Sequence, residues 1–258
     1  MKQPSVTIIG SGNVAFHLGI ALKESGFPIV QVYGRRMERA RWLADKVSAT
    51  PADSLSDIHN GADVYFLAVS DDAIESLSQK LKLPGKVVAH TSGSQPTPAL
   101  QKVSARTGVF YPLQSFKIGR KVDWTHLPIL LTGEDEVLAK LFPLARALSK
   151  HVAVITDAQR SALHLAAVFI NNFTNHCFTI AREITDDAQV DFSHLTPLAT
   201  HTVKQALEHD TRDLQTGPAR RNDLQTIRHH LSLLADDPAL KAVYESMTQH
   251  IQTYYDKA

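Results

Sequence analysis

The chain has 258 residues, enough for one large domain or two smaller ones, and 43% of them are hydrophobic, which excludes intrinsic disorder. A formal net charge of +1 excludes a general electrostatic attraction to nucleic acid or to an anionic membrane. The single cysteine, Cys177, excludes an internal disulfide and a cysteine-based zinc site, and fits a reducing, cytoplasmic compartment.

Val6 to Ile9 reads as a first strand, reached so early that no signal peptide is expected. Gly10 to Ala15, GSGNVA, follows it. A strand, a tight glycine turn and a helix start together bind the pyrophosphate of a dinucleotide. Gly10 allows the sharp turn, Gly12 lets the backbone approach the phosphates, and Ala15 takes the small position where helix and strand pack. Ser11, Asn13 and Val14 complete the cofactor-binding turn, whose free N–H groups and positive dipole end face the anion. The competing reading is a glycine turn with no ligand.

Phe16, Ala21 and Leu22 mark the buried face of the first helix, which Gly26 and Pro28 close. Ile29 to Tyr33 form a second strand, and Ala40, Leu43, Ala44 and Val47 recur at helical spacing. Ala49 and Thr50 fit a short third strand. ADVYFLAVS, ending at Ser70, is a fourth, apolar enough for burial on both faces. Asp71 and Asp72 suit a helix start. KVVAH, GVFYP, LPILL and VAVI are further strands, with a helix over Glu134 to Leu148 despite Pro143. Such alternation predicts an α/β domain, an open and mostly parallel doubly wound sheet, over residues 1–155. From Asp157 to Glu183 there is neither glycine nor proline, and Leu163, Ala166, Ala167, Ile170, Phe173, Cys177 and Ile180 share a helical stripe. Further helices are expected over Ser193–Glu208, Asp223–Leu234 and Pro238–Tyr255. Residues 156–258 thus read as an all-α domain. The longest apolar helical run, Ala162 to Ile170, is too short to span a bilayer.

An NAD-binding fold usually carries an acid at the end of its second strand, for the ribose 2′-hydroxyl. Here no acid occurs from Ser25 to Met37, and Arg35 and Arg36 occupy that place. Guanidinium groups suit the 2′-phosphate of NADP, so NADP is the expected cofactor. The plainer alternative is two arginines starting a solvated helix.

GSGNVAFHLG resembles the opening of the pyrroline-5-carboxylate reductase and deazaflavin-dependent NADP oxidoreductase group. HTSGS (His90 to Ser94), YPLQSF (Tyr111 to Phe116), LHLAAVFINNF (Leu163 to Phe173) and TGPARRND (Thr216 to Asp223) extend the likeness over nearly the whole chain. Together they resemble a bacterial family of candidate NADP oxidoreductases whose helical half is a domain of unknown function. The resemblance implies a Rossmann-like fold related to 6-phosphogluconate and β-hydroxyacid dehydrogenases, with a helical domain that usually dimerises. It brings no substrate.

Hydride transfer to C=O or C=N needs a cofactor, a proton donor and groups that orient the substrate. His90, Ser92 and Ser94 follow the fifth strand, where ligands of such sheets bind; Ser92 is a catalytic candidate, His90 and Ser94 substrate-binding ones. The plainer reading of this turn is a strand-to-helix cap, as it is for Ser70 beside the cofactor. In the long helix His164, Val168 and Asn171 share one face, because helical neighbours are three and four apart, and Asn175 continues that row. β-Hydroxyacid dehydrogenases carry a catalytic lysine in the matching helix, but this chain has no lysine from His151 to Val203. His164 is the alternative general acid, since imidazoles titrate near neutrality, with Asn171 and Asn172 beside it. A hydrogen-bonded structural histidine competes with that reading. Arg220 and Arg221 are candidates for a substrate carboxylate or phosphate, with Asp223 capping the next helix. Lys117 is either a loop lysine or an anion contact. The thirteen histidines show no metal-binding spacing, and Cys177, on its apolar stripe, reads as core. The expectation is an NADP(H)-dependent oxidoreductase acting on a small, anionic carbonyl or imine. The alternatives are a non-catalytic NADP-binding sensor and, through RRMERAR, a nucleic-acid binder, which the absence of a broad basic face disfavours.

Overall fold

The computed structural model describes residues 3–256. Among these, eight strands form one sheet: β1 (Val6–Ile9), β2 (Ile29–Tyr33), β3 (Thr50–Ala52), β4 (Val64–Leu67), β5 (Val87–His90), β6 (Arg106–Pro112), β7 (Ile129–Gly133) and β8 (Val152–Val154). Their spatial order is β3-β2-β1-β4-β5-β6-β7-β8. β1 to β6 run parallel, β7 turns back antiparallel to β6, and β8 follows β7 in parallel. The four helices that cross between strands are α1 (Asn13–Glu24), α2 (Met37–Val47), α3 (Asp71–Lys80) and α4 (Asp135–Leu148). This is the expected doubly wound domain.

Both faces of the sheet are covered, which is why its central strands read as unbroken apolar runs. Val6, Ile8, Phe66 and Ala89 point to the side packed by α1, α2 and α4. Ile9, Tyr65, Leu67 and Val88 alternate to the other side, against Ile74 of α3. Truncating a fully buried ring such as Phe66 to alanine costs about 3–5 kcal/mol by transfer and cavity terms. β4 is shorter than its apolar run: the chain leaves the ladder after Leu67, and Ala68 to Ser70 form the approach to α3. Helix α4 does run through Pro143, keeping Leu141, Leu144, Ala145 and Leu148 buried.

By packing, the chain falls into two compact units, Met1–Cys177 and Phe178–Ala258. Strands end at Val154, where the change to all-α was expected, but the next helix packs with the first unit. It begins as α5 (Asp157–Ala167), with a capping box between Thr156 and Gln159, widens into a π-helical turn at Val168–Phe173, and resumes as α6 (Thr174–Asp187). The expected regular helix is thus interrupted. The i→i+5 spacing of a π turn rotates the chain less per residue, so the face shared by His164, Val168 and Asn171 in a regular helix is not preserved. Thr174 Oγ1 donates to the Phe169 carbonyl across this turn.

The second unit holds the rest of α6, then α7 (Thr196–Glu208), the short α8 (Thr211–Leu214), α9 (Leu224–Leu233) and α10 (Pro238–Tyr255). Among its described residues only Ala219 and Ile227 are buried. On the long helix Ile170 is 70% exposed, and Cys177, read as core, is exposed as well. No described helix is long and apolar enough to cross a membrane.

Candidate dinucleotide and substrate site

The glycine turn lies at the carboxyl end of β1, between β2 and β4. Gly10 sits at φ +134°, and a Cβ there would collide with the Ala68 carbonyl. Its N–H donates to the Tyr33 carbonyl, which fixes the turn to the end of β2. Gly12 is the N-cap of α1 and supplies no capping side chain. The first-turn N–H groups therefore face outward, and a Cβ on Gly12 would meet nothing within 4 Å. Unpaired N–H groups at a helix start, with open space before them, fit an anionic pyrophosphate.

A cleft of about 1180 Å³ opens over this turn. Gly10, Ser11, Gly12, Asn13, Val14, Arg35, Arg36 and Ser70, all expected at the cofactor, line it. Ala15 is fully buried beneath, in the packing role expected of it. Arg39 lines the cleft too, one turn into α2. Among the described residues none of the three arginines makes an ion pair, so their charges remain available to a ligand. Ser70 stands at the N-cap of α3, but its hydroxyl makes no capping bond. Asn13 turns its side chain away from the turn: Oδ1 accepts the Ile118 N–H at 3.2 Å. With His17 Nε2, 3.0 Å from the Lys117 carbonyl, it holds the loop after β6 against α1.

A second cluster forms at the carboxyl ends of β5 and β6. His90 is fully buried; burial first, then the nearby Arg160 charge, push it down to about 4, so it is neutral. Its Nδ1 accepts the Ser92 N–H, and its Nε2 has no partner. This corrects the expectation of a substrate contact: no face of His90 is open to a ligand, because β5 carries it into the core. Ser92 is also buried, and its Oγ accepts the N–H groups of Ser94 and Gln95. Ser94 Oγ donates to Asp71 Oδ2 across the start of α3. The turn is therefore a built structure, in keeping with the capping reading.

Gly93, between these serines, is where α5 meets the turn. A Cβ on Gly93 would lie 2.5 Å from His164 Nδ1 and 2.9 Å from Tyr111 Cζ. His164 Nδ1 stands 3.0 Å from the Tyr111 hydroxyl, with the rings edge to face. His164 is half-buried; Tyr111 is 8% exposed. Burial raises the Tyr111 hydroxyl above its ordinary value, with Arg160 opposing and Asp71 adding to the rise.

Arg160, one turn before His164, is 1% exposed and organises the site from beneath. Its Nη1 donates to Thr132 Oγ1 at 2.9 Å and to Asp157 Oδ1 at 2.7 Å, and its Nη2 to the Gln95 carbonyl at 2.5 Å. Asp157 in turn accepts the N–H and hydroxyl of Thr97. The helix is thereby tied to the turn that follows β5. Neither Arg160 nor Tyr111 was a sequence candidate. The available signals were the i,i+4 spacing of Arg160 and His164 and the place of Tyr111 at the end of a parallel strand.

Asn171 and Asn172 are exposed in the π turn and share no hydrogen bond with His164. In the second unit Arg220 stacks over Tyr255 at 5.2 Å, whereas Arg221 makes no ion pair among the described residues. Asp223 caps α9 as expected, accepting from Thr226. The described residues contain no cluster that could hold a metal ion.

Comparison with solved structures decides the family. A candidate NADP oxidoreductase from Bacteroides fragilis is 36% identical, with 97% of this chain and 98% of that one covered, at a TM-score of 0.87. The chain belongs to that protein's family. Residues 5–92 match the family described as NADP oxidoreductase coenzyme F420-dependent, and residues 127–251 a domain of unknown function, DUF2520. A Thermotoga maritima protein is 21% identical over 98% of both chains, with a TM-score of 0.69. An imine reductase from Myxococcus stipitatus, solved with NADP+, is 18% identical over 99% of this chain and 95% of its own, with a TM-score of 0.73. At that identity these two show a shared fold. No curated protein matches the chain.

Proposed function

We propose that this family member is an NADP(H)-dependent oxidoreductase that transfers a hydride to or from a small, anionic carbonyl or imine. The carrying observation is the cleft over Gly10–Val14, lined by Arg35, Arg36 and Arg39, none of which makes an ion pair among the described residues although Asp72 lines the same cleft. The open N–H groups of α1 hold the pyrophosphate, and the arginines take the ribose 2′-phosphate. Bound NADPH supplies the hydride; the protein supplies orientation and the proton. The β5 turn, braced by Arg160, places His164 at the carboxyl edge of the parallel strands, where such sheets bind ligands. Gly93 N–H makes no hydrogen bond among the described residues and is a donor for developing negative charge.

The exposed apolar side chains of the helical half support a homodimer, in which a second copy covers Ile170, Leu198, Leu207 and Leu233. The exposed Cys177 thiol fits the reducing cytoplasm.

Titration with both cofactors tests the reading. Arg35→Glu is expected to weaken NADPH binding at least ~10-fold, about 1.4 kcal/mol, while leaving NADH binding nearly unchanged. Equal losses for the two cofactors refute the 2′-phosphate assignment.

A further inference from the structure

We propose that Tyr111 is a positioning residue for His164, accepting a hydrogen bond from Nδ1–H so that Nε2 is the atom that exchanges a proton with the substrate. This rests on the hydride-transfer reading above. It adds a residue and a tautomer to it.

Three observations converge on the pair. The Tyr111 hydroxyl lies 3.0 Å from His164 Nδ1. The β5 turn approaches the same edge of the ring so closely that Gly93 has no room for a methyl group. The imidazole is thus held at its Nδ1 edge by two strands' ends. Its Nε2 has no hydrogen-bond partner among the described residues, and His164 is only half-buried. One nitrogen is fixed and the other is free, as a proton-exchanging histidine requires.

Proton balance selects the tautomer. In the reductive direction a hydride adds to the substrate carbon, the C=O or C=N electron pair moves to the heteroatom, and that atom takes the Nε2 proton of the imidazolium. The ring is left neutral with its remaining hydrogen on Nδ1. The opposite arrangement, with Tyr111 donating to a bare Nδ1, gives a neutral ring that must form either imidazolate or tyrosinate to release the Nε2 proton. Burial disfavours the tyrosinate. Tyr111 therefore stays neutral and acts as acceptor throughout, fixing the tautomer much as a buried acceptor does in other proton-transfer sites. The charged groups that act on Tyr111 are Arg160, from the helix of His164, and Asp71, from α3; His90 in β5 is neutral.

Two-bond 1H–15N correlation spectra of 15N-labelled full-length protein, recorded where the ring is neutral, read the tautomer directly. The expected result is Nδ1–H in the wild type and reversion toward Nε2–H, the form an unconstrained imidazole favours, in Tyr111→Phe. Saturating NADP+ should shift the His164 ring signals of the wild type. Nε2–H in the wild type, no change in Tyr111→Phe, or ring signals unmoved by bound NADP+ each overturn the proposal. The wild-type spectrum alone decides the tautomer, so a Tyr111→Phe protein that fails to fold does not remove the test. Calorimetry on the same sample separates the two readings: a wild type that does not bind NADP+ overturns the hydride-transfer reading, and the proton role with it, whatever the tautomer.

Discussion

Replacing Arg160 with methionine probes the buried hub beneath the site. Methionine approximates the volume but removes the guanidinium, and with it the bonds to Thr132, Asp157 and Gln95. Removing one partner of a buried ion pair typically costs about 3–5 kcal/mol. Here the Asp157 side chain is 35% exposed, so water recovers part of its solvation, and Thr97 still donates to it twice. The Gln95 carbonyl loses its charged donor, worth roughly 1.5–3 kcal/mol. A loss of about 2–4 kcal/mol is expected, or about 5–15 °C in Tm at this chain length. Thermal and urea unfolding measure it. Arg160→Lys keeps the charge but not the fork, and should fall between the two. A loss below ~1 kcal/mol for Arg160→Met would show that the hub is not closed in solution. Its pH dependence is a second check. Burial raises the Asp157 carboxyl, but bonds from Thr97 and Arg160 outweigh it and hold the group below its ordinary value. Such a group stabilises the fold above the unfolded carboxylate value and loses that contribution as pH falls through the lower folded one. The stability gap between wild type and Asp157→Asn should therefore be full at pH 7 and close below about pH 4.

Three other outcomes follow from the geometry. Gly10→Ala forces a methyl group onto the Ala68 carbonyl at a positive φ, and should lower both Tm and NADPH affinity. Gly12→Ala meets no neighbour, and should keep Tm while weakening NADPH by ~10-fold or more, since its methyl occupies the phosphate's space. Thermal shift with and without NADPH compares them; equal affinity for Gly12→Ala and wild type would remove the pyrophosphate from this turn. Light scattering should give the wild type twice its 28.4 kDa chain mass, and Leu198→Glu with Leu207→Glu a smaller one. A monomeric wild type would refute dimerisation.

The sequence by itself determined the doubly wound sheet, its strands and the place of the glycine turn. Those features are written in local patterns: apolar runs, a 3.6-residue period, glycines after a strand. The bounds of β2 and α10, and the Asp223 cap, were legible for the same reason. Tertiary structure decided what each polar residue does. His90 sits in a motif that invites a ligand, yet β5 carries it into the core. Asn13 belongs to the cofactor turn, yet its side chain holds Ile118, 105 residues away. The π turn at Val168–Phe173 re-aimed the helix beyond His164, and no spacing rule announced it. Tyr111 and His164 are 53 residues apart, and only the pairing of β5 with β6, and of Gly93 with α5, brings them together. Local pattern encodes backbone conformation because neighbours along the chain set it. A hydrogen-bonded pair depends on chain crossings far apart in sequence, so only the fold could disclose it.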